Sequence, residues 1–182
     1  MSRKPLSPTD FGRMFETFDR DAFRLETLAK YDVPFEAAAL ERFVNGQPLP
    51  PTRVGELASW DALIVKAVSG GKTLRRVHVL SHPLTPYLRF EIEWGYCYTA
   101  TLGEQIRLLP DPDLELSKTA SEDFWLFDDS LSVFLRYSPT GGYLGADTDD
   151  DPATIERCRR VRDATWARSI SLSDYLARTR CV

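Results

Sequence analysis

Hydrophobic and polar positions along the chain switch repeatedly between a helical and a strand period. Phe11, Met14, Phe15 and Phe18 recur at helical spacing behind the start signal Ser7-Pro8-Thr9-Asp10, which predicts a short amphipathic helix. In DAFRLETLAKY, Phe23, Leu25 and Thr27 alternate against Arg24, Glu26 and Leu28, the period of a strand. Pro34 suits the first turn of a helix whose apolar face holds Phe35, Ala39, Phe43 and Val44, and Asn45-Gly46 ends it. Trp60, Leu63, Ile64, Ala67 and Val68 form the cleanest helical stripe, stopped by Gly70-Gly71. LRRVHVLS then reads as a strand with Val77 and Val79 on one face and Arg76, His78 and Leu80 on the other.

A helix starting at Thr85 and Pro86 carries Leu88, Ile92 and Tyr96 on one side and Phe90, Trp94 and Tyr98 on another, so it is covered on more than one side. Gly103 precedes the short strand EQIRLL. The pattern continues as the strand DFWLF, the turn Asp128-Asp129-Ser130, the strand SVFLRY, a turn at Pro139 to Gly142 and a short YLGAD strand. Two helices close the chain, the first with Ile155, Cys158, Val161 and Thr165 inward, the second with Leu172, Tyr175 and Leu176. The alternation of helix and strand up to about Leu109, followed by three meandering strands, predicts an α/β (mixed α+β) fold with a mixed central sheet flanked by helices. One domain is expected over 1–182, with an N-terminal extension over about 1–50 and a sheet-and-helix core over about 58–180.

The 182 residues suffice for a single core without disulfide or metal staples. A net charge of −4 argues against direct nucleic-acid binding, although Arg157, Arg159, Arg160 and Arg162 offer a local basic face; a solvated helix beside the acidic run Asp147 to Asp151 is the simpler account. Cys97, Cys158 and Cys181 are odd in number and widely spaced, as expected of reduced cytosolic thiols. The absence of an apolar leader or a membrane-length apolar run leads to the expectation of a cytoplasmic chain with no membrane contact.

The succession of the GG-terminated helix, LRRVHVL, GEQIRLLP, DFWLFDDSLSVFLRY and DATWARSISLSDY resembles one half of the phospholipase D-like fold over roughly Trp60 to Tyr175. With that family's terminal aspartate aligned on Asp128, its H-x-K histidine falls on Ser121 and its lysine on Asp123, so the likeness is to a degenerate half without nucleophile or phosphate-binding lysine. Over the whole chain, AFRLETLAKYDVP, RRVHVLSHPLTPYLRFEIE, LGEQIRLLP, DFWLFDD and RDATWARSIS resemble an actinobacterial family of domains of unknown function. Members are commonly encoded beside helix-turn-helix repressors and small acidic proteins. The resemblance implies a regulatory role with such a protein partner and brings no catalytic residue.

Candidate chemistry is sparse. His78 and His82 sit on a strand and the loop after it, which suits hydrogen-bonded or solvated histidines better than a metal pair. In an extended DFWLFD, Asp123 and Asp128 face opposite ways, so Asp128 and Asp129 are more simply turn residues whose carboxylates cap backbone N–H groups. Arg24 with Glu26, and Arg76 with His78, lie on covered strand faces, where charges must be paired or solvated in a cleft. A cleft using Arg24, Glu26, Arg76, Glu91, Glu104 and Arg107, with Asp123, Trp125 and Asp128 nearby, is the functional alternative to a structural ion-pair network. No catalytic residue, metal site or cofactor is expected. The leading expectation is a non-catalytic regulatory or effector-sensing domain, with a small-molecule effector as a possible ligand; the alternative is a diverged metal-dependent phosphodiester or nucleotide hydrolase using the acidic cluster.

Overall fold

The computed structural model describes residues 3–110 and 114–179. Eight strands form one mixed sheet in the order β1-β7-β6-β5-β2-β3-β4-β8. They are β1 (Lys4–Leu6), β2 (Asp21–Glu26), β3 (Thr73–Val79), β4 (Gln105–Leu109), β5 (Phe124–Phe127), β6 (Leu131–Tyr137), β7 (Tyr143–Asp149) and β8 (Ile170–Ser171). The β2–β3 and β3–β4 pairs are parallel and the others antiparallel. The parallel pairs are joined through helices, as parallel neighbours require, and the antiparallel β5–β6–β7 meander through tight turns.

The helices are α1 (Pro8–Thr17), α2 (Ala37–Val44), α3 (Glu56–Ser69), α4 (Pro86–Phe90), α5 (Cys97–Thr101), α6 (Leu114–Thr119), α7 (Pro152–Arg168) and α8 (Leu172–Thr179). A 3-10 turn at Pro34–Glu36 leads into α2, and a π-helical segment, Glu91–Tyr96, runs between α4 and α5. Helix starts are set by side chains: Ser7, Thr85 and Asp151 each accept backbone N–H groups that have no partner inside the helix, with proline next in line.

Successive strand residues point to opposite faces, and each face has its own covering. Phe23, Leu25, Val77, Phe124, Leu126 and Phe134 pack against Ile155, Cys158 and Val161 of α7. On the other face Ala22, Leu74, Trp125, Phe127 and Val133 meet α1 and α3 through Phe15, Trp60 and Ile64. Farther along that face, Ile106 and Leu108 meet Leu88, Ile92 and Tyr96, while α2 packs on α4 through Ala39, Phe43 and Phe90.

The mixed α+β single domain expected from the sequence is the fold observed. Two details differ. The segment expected as an N-terminal extension contributes a central strand, because β2 is the strand on which the parallel and antiparallel parts of the sheet meet. Phe35 and Val44 are exposed, and the buried side of α2 turns on Ala39, with Leu40 and Phe43 packed beside it, because α2 rests on α4 rather than on the sheet. The strands β1 and β8 carry no strand-length pattern in the sequence and exist as short edge pairings. Among the described residues no helix is long and apolar enough to cross a membrane.

Candidate functional site

Between α1, α3 and the α4–α5 region the second face of the sheet is left open as a cleft of about 1190 Å³, and its floor is charged. Arg24 and Arg76 are register partners across the parallel β2–β3 pair, with Glu26 one step along the same face, so strand periodicity alone brings two guanidiniums and a carboxylate together. Arg76 Nη1 lies 2.7 Å from Glu26 Oε2, and Arg76 Nε donates to Glu104 Oε1 at 2.9 Å. Arg24 Nε stands 3.5 Å from Glu26 Oε1, while Arg24 Nη2 donates to Asp123 Oδ2 at 2.8 Å and to the Tyr137 hydroxyl at 3.0 Å. Asp123 also accepts the Thr27 N–H and hydroxyl and the Tyr31 hydroxyl. Trp125, the antiparallel partner of Arg24, lies 5.9 Å from both guanidinium carbons, within the range of a cation–π contact.

Electrostatics follow from this burial. Desolvation would push the Glu26 carboxyl up, but Arg76 and Arg24 outweigh it and hold the group well below the carboxylate range. Burial likewise works against the Arg24 charge, and Tyr137, Asp123 and Glu26 more than offset it. His78 is fully buried, and desolvation lowers its pKa. Its Nε2 lies 3.0 Å from the Leu28 carbonyl and its Nδ1 2.6 Å from the Tyr96 hydroxyl, which itself donates to Glu26 at 2.6 Å.

A second carboxyl group of interest borders the cleft. Burial, then the nearby Glu36 and Glu26, push the Glu91 carboxyl up to about 8, so it carries a proton at neutral pH. Burial also raises Glu36, which accepts a hydrogen bond from Tyr87 at 3.2 Å. Gly95 makes room for this arrangement, since a Cβ there would come within 3.0 Å of Glu91 Oε1.

Buried polar atoms in the cleft wall lack hydrogen-bond partners: Arg24 Nη1, Arg53 Nε and Nη1, Glu104 Oε2 and Thr99 Oγ1, although Arg53 Nε is ion-paired with Asp61 at 3.1 Å. Arg24, Glu104 and Thr99 are each 4% exposed, so these atoms are withdrawn from water in the cleft wall and no protein group satisfies them.

Of the residues singled out from the sequence, Arg24, Glu26, Arg76, Glu91, Glu104, Asp123 and Trp125 gather in or directly behind the cleft. Arg107 does not. It pairs in register with Val77, so it emerges on the α7 face, stacks on Trp166 at 5.2 Å and donates to Ser169 Oγ at 3.0 Å. Asp128 is also elsewhere: with φ of 53° at Asp128 and 57° at Asp129, the β5–β6 turn takes the left-handed form that suits strand twist. Its carboxylate accepts the N–H groups of Asp19, Arg20 and Asp21, which hold its pKa down although burial pushes the other way.

The histidines part company too, His78 in the interior and His82 exposed. Tyr31, Glu36, Arg53, Thr99 and Tyr137 were not anticipated as site residues; only Tyr137 carried a usable signal, lying an even number of residues beyond Val133, the register partner of Trp125. The arginines of α7 are largely engaged, Arg162 with Asp129 and Asp163, Arg159 with the Asp129 carbonyl and Arg157 with Glu122. Cys158 is buried, and Cys181 lies outside the described residues.

A family model described as a domain of unknown function (DUF6879) matches residues 9–177. No curated protein sequence matches the chain. Among solved structures, NucT from Helicobacter pylori is similar with a TM-score of 0.52 at 10% identity, covering 93% of this chain and 97% of that one. TrmBL2, described as an archaeal chromatin protein with a novel mode of DNA binding, is similar with a TM-score of 0.46 at 13% identity, covering 89% of this chain; this chain spans 49% of TrmBL2. The likeness to NucT is one of fold. The expectation that the chain makes no direct contact with nucleic acid is corrected: it does not stand as an exclusion. The physical weakness of that expectation is that a net charge of −4 is an average, which excludes no local face.

Proposed function

The chain belongs to this domain-of-unknown-function family, and from that premise we propose that it is a non-catalytic, effector-sensing regulatory domain whose ligand occupies the charged cleft. One observation carries the reading: buried, unpartnered donor and acceptor atoms on Arg24, Glu104 and Thr99 line a cleft of about 1190 Å³ walled by aromatic side chains. Charged groups on that floor are held by one another rather than poised to react. The hydrolase alternative draws less support, because the oxygens of Asp123 are engaged by Arg24, Thr27 and Tyr31 while Asp128 caps a backbone turn, so the acidic residues do not converge.

The phospholipase D-like outline fits the same reading, with Ser121 exposed and Asp123 ion-paired at the positions aligned with that family's histidine and lysine. Action in the cytoplasm alongside a helix-turn-helix regulator or a small acidic protein remains part of the proposal and rests on the family resemblance.

The test is native mass spectrometry of the purified protein together with thermal denaturation against a metabolite panel. A retained or added small molecule that raises the midpoint by several degrees supports the proposal, as expected for a ligand well above its Kd. Failure of every metabolite, with duplex DNA alone giving a shift, would sink it in favour of a nucleic-acid-binding role.

A further inference from the structure

The same cleft carries a chemical preference, and on the premise that it is a ligand site we propose that its ligand is a small organic cation: an amine on an apolar or aromatic body, with a neutral oxygen acceptor close to the nitrogen. The charge of the lining is the first argument. Arg24, Arg53 and Arg76 are its cations, whereas Glu26, Asp32, Glu36, Glu56 and Glu104 are its acidic groups, leaving aside Glu91, which is protonated at neutral pH. Asp123, behind the floor, takes up Arg24 further. An anion entering here would meet guanidiniums that each already pair with a carboxylate, Arg24 with Asp123, Arg53 with Asp61 and Arg76 with Glu26 and Glu104. A cation would meet surplus carboxyl.

The second argument is the pair of unpartnered oxygens. At the end of α5 the Glu104 N–H donates back to the Thr99 carbonyl at 3.2 Å, so the turn through Gly103 brings residues 99 and 104 together. Gly103 has φ of 104°, and a Cβ there would come within 2.8 Å of Val68, so the turn is built for glycine. Both residues are 4% exposed, and Glu104 Oε2 and Thr99 Oγ1 have no hydrogen-bond partner. An ammonium offers donors in several directions and would serve both oxygens with charge-assisted bonds. Arg24 Nη1 and Arg53 Nη1, also without hydrogen-bond partners, supply N–H groups for the neutral acceptor.

The walls are the third argument. Phe15, Trp60, Tyr31, Trp125, Tyr137 and Tyr143 line the cleft, and aromatic faces attract organic cations as well as packing an apolar body.

The experiment uses the intact chain and three probes with one body and three charges: 2-phenylethylamine, 2-phenylethanol and phenylacetate, titrated calorimetrically to millimolar concentration. The amine is expected to bind at least tenfold more tightly than the alcohol, with no detectable binding of the carboxylate. Glu104→Gln should lower amine affinity at least tenfold while leaving the alcohol unchanged. Thr99→Val, which keeps shape and removes only the hydroxyl, gives the same reading by a smaller factor should the glutamine variant not fold. Equal or tighter binding of the alcohol or carboxylate, or no binding by any of the three, overturns the amine assignment. The metabolite panel separates this from the broader reading: a non-cationic hit leaves an effector site standing with the ligand class wrong, whereas no hit at all removes both.

Discussion

Leu25 and Arg24 are neighbours on β2, both buried, and they look into opposite worlds. Leu25 faces α7 among Phe23, Val77, Phe124 and Leu126, a dry apolar layer. Arg24 faces the cleft among Glu26, Asp123, Tyr137 and Trp125. Apolar burial stabilises in proportion to area, at about 25 cal/mol per Å². Desolvated ion pairs do no better than break even against apolar replacements of similar volume. One face of the sheet thus accounts for why the chain folds, and the other spends part of that stability on holding groups in a fixed arrangement.

The comparison can be broken most forcefully at Arg24. Arg24→Met leaves the buried Asp123 without its cation, while Glu26 keeps Arg76, and is expected to cost roughly 3–5 kcal/mol in chemical denaturation. Adding Asp123→Asn should restore a good part of that loss, since a neutral amide needs no counter-charge. Leu25→Ala creates a cavity and is expected to cost about 2–5 kcal/mol, with no second substitution able to rescue it so simply. If the double variant is no more stable than Arg24→Met, the cost lies in packing and the two faces are alike after all.

A pH series sharpens the contrast, because Glu91 and His78, both shifted by burial, belong to the cleft face. The folded pKa of Glu91, about 8, lies above the unfolded value of 4.5. Its contribution is therefore fully present below about pH 4.5 and is lost as pH rises through 8, at up to about 1.4 kcal/mol per pH unit. The groups acting on it are Glu36, Glu26, Tyr87 and Arg76. His78 runs the other way: its folded pKa lies below 6.5, so stability is lost as pH falls beneath that value. Urea midpoints measured across this range should peak in the mildly acidic region, and Glu91→Gln, a mimic of the protonated carboxyl, should flatten the alkaline limb alone. The smallest effect is expected at the rim of the sheet, where Arg136 lies 2.7 Å from Asp147 but is 53% exposed; Arg136→Ala should change stability by less than about 1 kcal/mol.

The cleft was partly legible because strand period is a strong signal. Arg24, Glu26 and Arg76 share a face by parity within their strands, and the β2–β3 register then sets them side by side. Arg107 was grouped with them although Glu104 lies an odd number of residues away, and EQIRLL offers a charge on either parity, so its pattern cannot choose a face. Register decides: Ile106 sits beside Arg76, and Arg107 beside Val77. Asp128 was legible as a turn cap, while the identity of the capped amides, 107 to 109 residues away, was not. Tyr31, Glu36 and Arg53 reach the cleft from a turn and loops, where no periodicity fixes direction. The nucleic-acid exclusion failed for a related reason, since a sum over the chain carries no geometry.

The position of β2 in the sheet has a consequence in time. Arg24 precedes Asp123 by 99 residues, so at roughly 5–20 residues per second of synthesis the guanidinium waits about 5–20 seconds for its partner to be made. Until then a nascent chain presents a hydrated β2 with half its neighbours missing, and the floor of the cleft closes only once β5 pairs with β2. A chain interrupted before residue 123 lacks the carboxylate behind Arg24 and the Trp125 beside it, and a ligand that steadies the finished floor acts on completed molecules alone.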